Sequence, residues 1–124
     1  MKKILVVEDE KTLSSIISEK LVEEGFEVAT AMDGQEAVDY FTNKGTADLI
    51  LLDILLPKID GFTVLQQINE MGVKVPVVIF SNFLHDEEEE KARQLGAKAF
   101  LVKAAFSTAE VVTKIKEVLD QPSS

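Results

Sequence analysis

Short apolar runs that each stop at a polar residue recur along this chain, with amphipathic helical stretches between them. That alternation leaves few folds open. The first run, Ile4 to Val7, stops at Glu8-Asp9-Glu10, as a strand buried on both faces stops where it leaves the core. Leu49 to Leu52 is wholly apolar and stops at Asp53 in the same way. Val75 to Phe80 stops at Ser81, with Pro76 tolerated near its start, and Ala99 to Val102 stops at Lys103. Phe26 to Ala29 is a shorter, weaker strand signal.

Helical spacing fills the gaps. Thr12 to Glu24 carries Leu13, Ile16, Ile17 and Leu21 on one face, and Gly25 supplies a C-terminal stop. Asp33 with Glu36 three residues later makes a capping-box-like opening for a helix through Ala37, Val38 and Phe41, which ends near 43–45. Pro57 and Gly61 punctuate a loop, after which Phe62, Leu65 and Ile68 mark a third helix up to Gly72. Asp86 to Leu95 reads as a charged helix closed by Gly96. Ser107 and Glu110 form a capping box for the last helix, whose Val111, Val112, Ile115, Val118 and Leu119 give the clearest amphipathic stripe. Five strands alternating with five helices predict a doubly wound α/β domain with a mostly parallel sheet, helices on both faces and right-handed crossovers.

The chain's 124 residues fit a single domain over 1–124, with a core over about 2–119 and a polar tail over 120–124. With 46% hydrophobic and 28% charged residues, it is too apolar for disorder. It has no long apolar segment for a membrane span, and Met-Lys-Lys before only four apolar residues is too short for a signal peptide. Twenty-two acidic residues against 13 basic give a net charge of -9, which argues against DNA or an anionic membrane and favours a cation or a basic protein surface. The absence of cysteine excludes disulfides, thiolate metal sites and cysteine nucleophiles, and is compatible with a cytoplasmic location, the expected one.

In open α/β sheets ligands bind outside the carboxyl ends of the strands, and those ends here deliver Glu8, Asp9, Asp53, Ser81 and Lys103. Carboxylates held close together repel, and a hard divalent cation removes that cost. Mg²⁺ prefers one or two carboxylates with waters and a phosphate, so Asp9 and Asp53 are the expected ligands, with Glu8 joining directly or through water. A carboxylate in such a site is also a nucleophile toward phosphorus, while a lysine and a hydroxyl stabilise the oxygens of a transferring phosphoryl group.

With these residues in place, the chain from Lys2 to about Leu119 resembles the response-regulator receiver domain of two-component signalling, of the chemotaxis-regulator type. The likeness lies in Glu8-Asp9 after the first strand, in Leu-Leu-Asp-Ile-Leu-Leu-Pro-Lys-Ile-Asp-Gly over 51–61, in Ser81 and in Lys103. It implies a flavodoxin-like strand order 2-1-3-4-5. It also implies that Asp53 is the phosphoacceptor, that Glu8, Asp9 and the main-chain carbonyl of Leu55 join it around Mg²⁺, and that Ser81 and Lys103 contact the phosphoryl group. Phe100 matches the aromatic that moves with Ser81 on activation. The implied donor is a histidine kinase or a histidine phosphotransfer protein, and the implied target is a downstream output domain or protein. Such a domain is a switch rather than an enzyme, catalysing only its own phosphorylation and dephosphorylation. Homodimers through the fourth helix, fifth strand and fifth helix occur in the family, and nothing in the sequence decides for or against one.

Two positions depart from the pattern. Asn82 stands where the family usually has a small residue, often alanine, and its bulk is expected to narrow access to the phosphoryl group and alter how long it persists. Ala104 stands where a cis proline usually follows the lysine, so the Lys103–Ala104 peptide is expected to be trans. Ala104→Pro is expected to tighten the loop and strengthen switching. Two competing readings are a pseudo-receiver that binds without being phosphorylated, which the intact acids oppose, and a haloacid-dehalogenase-type phosphohydrolase. The latter needs a second aspartate two residues after the first, where this chain has Leu55. His85, the only histidine, has no catalytic role in any of these, and the acidic run Asp86 to Glu90 reads as the solvated first turn of a helix.

Overall fold

A computed structural model describes residues 1–82 and 85–121; the end of the expected polar tail, 122–124, lies outside the described residues. The elements run β1 (Lys3–Val7), α1 (Lys11–Glu23), β2 (Glu27–Ala31), α2 (Gly34–Thr42), β3 (Leu49–Leu52), α3 (Gly61–Glu70), β4 (Val77–Ser81), α4 (Asp86–Gln94), β5 (Ala97–Val102) and α5 (Thr108–Leu119). One turn of 3₁₀-helix, Lys103–Ala105, joins β5 to α5. The five strands form one parallel sheet in the order β2-β1-β3-β4-β5, as expected.

Alternate residues of each strand feed two cores. Leu5, Val7, Ile50, Leu52, Val77 and Ile79 pack with Ala37, Val64, Leu65 and Ala92 under α2, α3 and α4. Ile4, Val6, Leu49, Leu51, Val78, Phe80 and Leu101 pack with Ile17, Leu21, Val111 and Ile115 under α1 and α5. Burial on both faces is why β1, β3 and β4 are near-continuous apolar runs, each giving way to a polar residue at its carboxyl end that is itself still buried.

Several boundaries differ from expectation. The residue Phe26 belongs to the turn closing α1, where its N–H donates to the Leu21 carbonyl at 3.0 Å, and Gly25 beside it has φ +93°. The strand β2 instead runs on through Thr30 and Ala31, paired with Val6 and Val7. Strand β4 starts at Val77 because Pro76 has no N–H for the ladder, although its carbonyl accepts from Ile50 N–H at 3.0 Å. Strand β5 begins two residues early, at Ala97, where a register shift against Val77 and Val78 interrupts the pairing.

Both predicted caps form. Asp33 accepts from Glu36 N–H at 2.8 Å while Glu36 accepts from Met32 N–H at 3.1 Å, and Ser107 and Glu110 cap α5 reciprocally. The cap at Asp33 also holds the loop after β3. Lys58 pairs with Asp33 at 3.4 Å, and Gly34 lies so close to that loop that a Cβ there would sit 1.9 Å from the Ile59 carbonyl oxygen.

Candidate functional site

Each acidic residue of the site is placed by the strand that precedes it. The Glu8 N–H donates to the Ala31 carbonyl at 3.0 Å and the Asp53 N–H to the Val7 carbonyl at 3.1 Å, so both backbones are tied to the neighbouring strand at the sheet's carboxyl edge. One carboxylate oxygen each from Glu8, Asp9 and Asp53 lie within 4.8 Å of one another. Glu8 and Asp53 are buried, at 2% and 5% exposure, whereas Asp9 faces solvent.

Into this cluster β5 delivers one cation. Lys103 Nζ lies 2.6 Å from Asp53 Oδ2 and 2.5 Å from Glu8 Oε1. Glu10, which sequence reasoning left out of the site, approaches the same ammonium at 3.6 Å and donates its N–H to Glu8 Oε2 at 3.4 Å. The other oxygen of Asp53 accepts the Leu55 N–H at 3.1 Å, so both ends of that carboxylate are held. Glu8 Oε1 is ion-paired to Lys103 yet accepts no well-formed hydrogen bond, leaving a buried oxygen with spare capacity.

Burial pushes the Glu8 carboxyl up to about 7; the pairing with Lys103 opposes this and the Asp53 charge adds to it. Burial works against the Lys103 charge, but pairing with Asp53 and Glu8 outweighs it and holds the ammonium above the ordinary lysine value. The donor set suits a small hard cation. Oxygens bound at about 2.0–2.1 Å to an octahedral Mg²⁺ stand roughly 3–4 Å apart, within the spread of these three carboxylates, and Asp9 opens the cluster to solvent.

The remaining expected residues are placed as follows. Ser81 ends β4, fully buried, opposite Val102 and so one residue from Lys103 in register. Phe100 is half-buried on β5 opposite Ile79, and the Arg93 guanidinium of α4 lies 4.9 Å from its ring centroid. The Leu55 side chain is exposed beside Asp53. His85 is an exposed residue at the start of α4 and caps it with no side-chain hydrogen bond.

No cis peptide occurs among the described residues, so Lys103–Ala104 is trans as expected. The Ala104 N–H is in use, however: it donates to Asn82 Oδ1 at 2.9 Å. A proline at 104 would delete that bond, so the expectation that Ala104→Pro tightens the loop is revised. No sequence spacing announces a bond between a side chain of one loop and the backbone of another.

The strand order, the helices on both faces and the polar site at the carboxyl edge define a flavodoxin-like α/β domain of the chemotaxis-regulator type. Residues 4–116 match the response regulator receiver domain, and the chain belongs to that family. It is 40% identical over 119 residues to the chemotaxis protein CheY of Treponema pallidum, covering 94% of this chain and 82% of that one. It superposes on the CheY-like receiver domain protein of Methanospirillum hungatei with a TM-score of 0.89 at 27% identity, over 97% of this chain and 94% of that one. On the response regulator TrrA of Thermotoga maritima, solved in complex with Mg²⁺ and BeF, the TM-score is 0.81 at 33% identity, over 95% of this chain and 99% of that one. The chain spans about half the length of several curated relatives, among them the transcriptional regulatory protein DltR of Streptococcus agalactiae, of which it covers 50%.

Proposed function

We propose that this receiver domain takes a phosphoryl group onto Asp53 from a phosphohistidine donor, with Mg²⁺, and changes shape to regulate an output partner. The observation that carries this reading is the convergence of Glu8, Asp9 and Asp53 within 4.8 Å of one another, with an ammonium 2.6 Å from Asp53. Glu8, Asp9, Asp53 and the main-chain carbonyl of Leu55 would hold the metal, which when bound neutralises the carboxylates and the phosphoryl oxygens. That TrrA was solved with Mg²⁺ and BeF supports the same arrangement here.

The chain's own residues do the rest. Leu55 N–H and Lys103 orient the Asp53 carboxylate before a donor arrives. An Asp53 oxygen then attacks phosphorus, a new O–P bond forms as the N–P bond of phosphohistidine breaks, and the electron pair leaves with the imidazole nitrogen. Lys103 moves its charge to the phosphoryl oxygens, joined by the Ser81 hydroxyl. Drawing Ser81 toward the phosphoryl group frees space for Phe100, and the face built from α4, β5 and α5 then presents a different surface. A histidine kinase or a histidine phosphotransfer protein is the donor, and a downstream output domain or protein is the reader. The proposed location is cytoplasmic. No helix among the described residues is long and apolar enough to cross a membrane.

Treatment with acetyl phosphate and Mg²⁺ tests this by intact mass. Wild type is expected to gain one phosphoryl group and Asp53→Asn none, since the near-isosteric amide keeps the fold but lacks the nucleophile. Equal gain in both would move the acceptor elsewhere.

A further inference from the structure

The β4·β5 ladder ends at Ser81 and Val102, one residue short of both Asn82 and Lys103. Beyond that last rung a side-chain bond continues the tie: Asn82 Oδ1 accepts the Ala104 N–H at 2.9 Å. Ala104 lies inside the single 3₁₀ turn Lys103–Ala105, directly after the residue whose ammonium spans Glu8 and Asp53. An N–H in the first turn of such a helix has no partner within it, so without Asn82 it would face water and the turn would have one fewer anchor. Lysine reaches its target through four flexible torsions, so the aim of its charge depends on how firmly the backbone at its root is held.

We propose that Asn82 is a positioning residue for Lys103: its bond to the Ala104 N–H fixes the turn from which the ammonium reaches Asp53. Acting through Lys103, it speeds phosphoryl transfer. This rests on the reading of Asp53 as phosphoacceptor. The two departures noted in the sequence then form one device. Asn82 supplies an acceptor that a small side chain lacks, and Ala104 supplies a donor that proline lacks.

The test uses the full chain with acetyl phosphate and saturating Mg²⁺, following phosphorylation by intact mass in N82A, A104P, the double variant, K103A and K103A/N82A. Each of N82A and A104P is expected to slow phosphorylation about fivefold, the loss typical of one neutral hydrogen bond. The double variant is expected to be no slower than the slower single, and N82A to change nothing in the K103A background. Amide hydrogen exchange at Ala104 should quicken in N82A and stay slow in Asn82→Asp, which keeps an acceptor oxygen, while core amides such as Leu101 remain protected. An unchanged or faster rate in N82A, multiplying effects in the double variant, or an N82A effect that persists without Lys103 would overturn the proposal. The last would assign Asn82 to access instead. Failure of wild type to take up phosphate would sink the functional reading and the positioning role with it. Equal Ala104 exchange in wild type and N82A would refute the hydrogen bond by itself.

Discussion

Removing Lys103 leaves two buried carboxylates facing each other, and the cost of Lys103→Ala follows from their surroundings. The side chains of Lys103, Glu8 and Asp53 are 13%, 3% and 5% exposed. Deleting one partner of a buried ion pair costs about 3–5 kcal/mol, chiefly because the other charge stays buried and unpaired. Glu8 has a way out, since its carboxyl is already pushed up to about 7 and it can take a proton. The folded chain therefore keeps a proton that the unfolded chain releases at ordinary carboxylate values. Stability from this group is fully present below the unfolded value and is lost as pH rises through about 7. Lys103 opposes the upward push on Glu8, so its removal moves that carboxyl further up. At pH 8 the variant must either bury an unpaired Glu8 carboxylate beside Asp53 or hold a proton on Glu8 against the solution, and it should lose about 3 kcal/mol; at pH 6, where Glu8 keeps its proton at little cost, the loss should fall to roughly half that. For a domain of this size 1 kcal/mol moves Tm by roughly 3–5 °C, so the deficit should be about 10 °C at pH 8 and about 5 °C at pH 6. Mg²⁺ at a hundredfold over its Kd adds about 2.7 kcal/mol, and it should stabilise the variant more than wild type because no ammonium competes for Glu8 and Asp53. Thermal melts followed by circular dichroism at both pH values, in chelator and in excess Mg²⁺, check all three points. A variant melting within a degree or two of wild type at pH 8, or Mg²⁺ favouring wild type more, would show that Lys103 does not hold these two carboxylates together.

Mg²⁺ affinity should rise between pH 6 and pH 8, with proton release on binding, because Glu8 must ionise to join the cluster; calorimetry in buffers of different ionisation enthalpy would show it, and pH-independent binding would contradict it. Gly34→Ala should cost about 2 kcal/mol in denaturant unfolding, since a Cβ 1.9 Å from the Ile59 carbonyl oxygen forces the loop after β3 away and outweighs alanine's better helix propensity. Ser107→Ala should cost about 1 kcal/mol by removing the N-cap acceptor of α5, and an unchanged midpoint would show the cap to be idle.

The interior of the sheet was readable from the sequence because burial on both faces leaves a strand no room for polar residues. β1 and β3 were located almost to the residue. The two sheet edges were read short for the converse reason. β2 is largely half-exposed, and β5 alternates buried Ala97, Ala99 and Leu101 with more exposed Lys98 and Val102, so Thr30 and Lys98 looked like loop. The convergence of Glu8, Asp9, Asp53 and Lys103 was legible because parallel strands deliver their C-terminal residues to one edge. Glu10 beside Lys103 and the bond from Ala104 to Asn82 were not, since both depend on how loops fold back. The same holds for Arg93 over Phe100, a contact made between α4 and β5.

Phosphoryl transfer to this domain should leave Asp53 as an acyl phosphate. Acetyl phosphate treatment in Mg²⁺ followed by borohydride reduction and peptide mapping tests it most directly, because reduction converts an aspartyl phosphate to homoserine and leaves ordinary carboxylates untouched. Homoserine is expected at position 53, dependent on Mg²⁺ and on prior phosphorylation. Homoserine at another acid, or none anywhere despite a gain in intact mass, would contradict it.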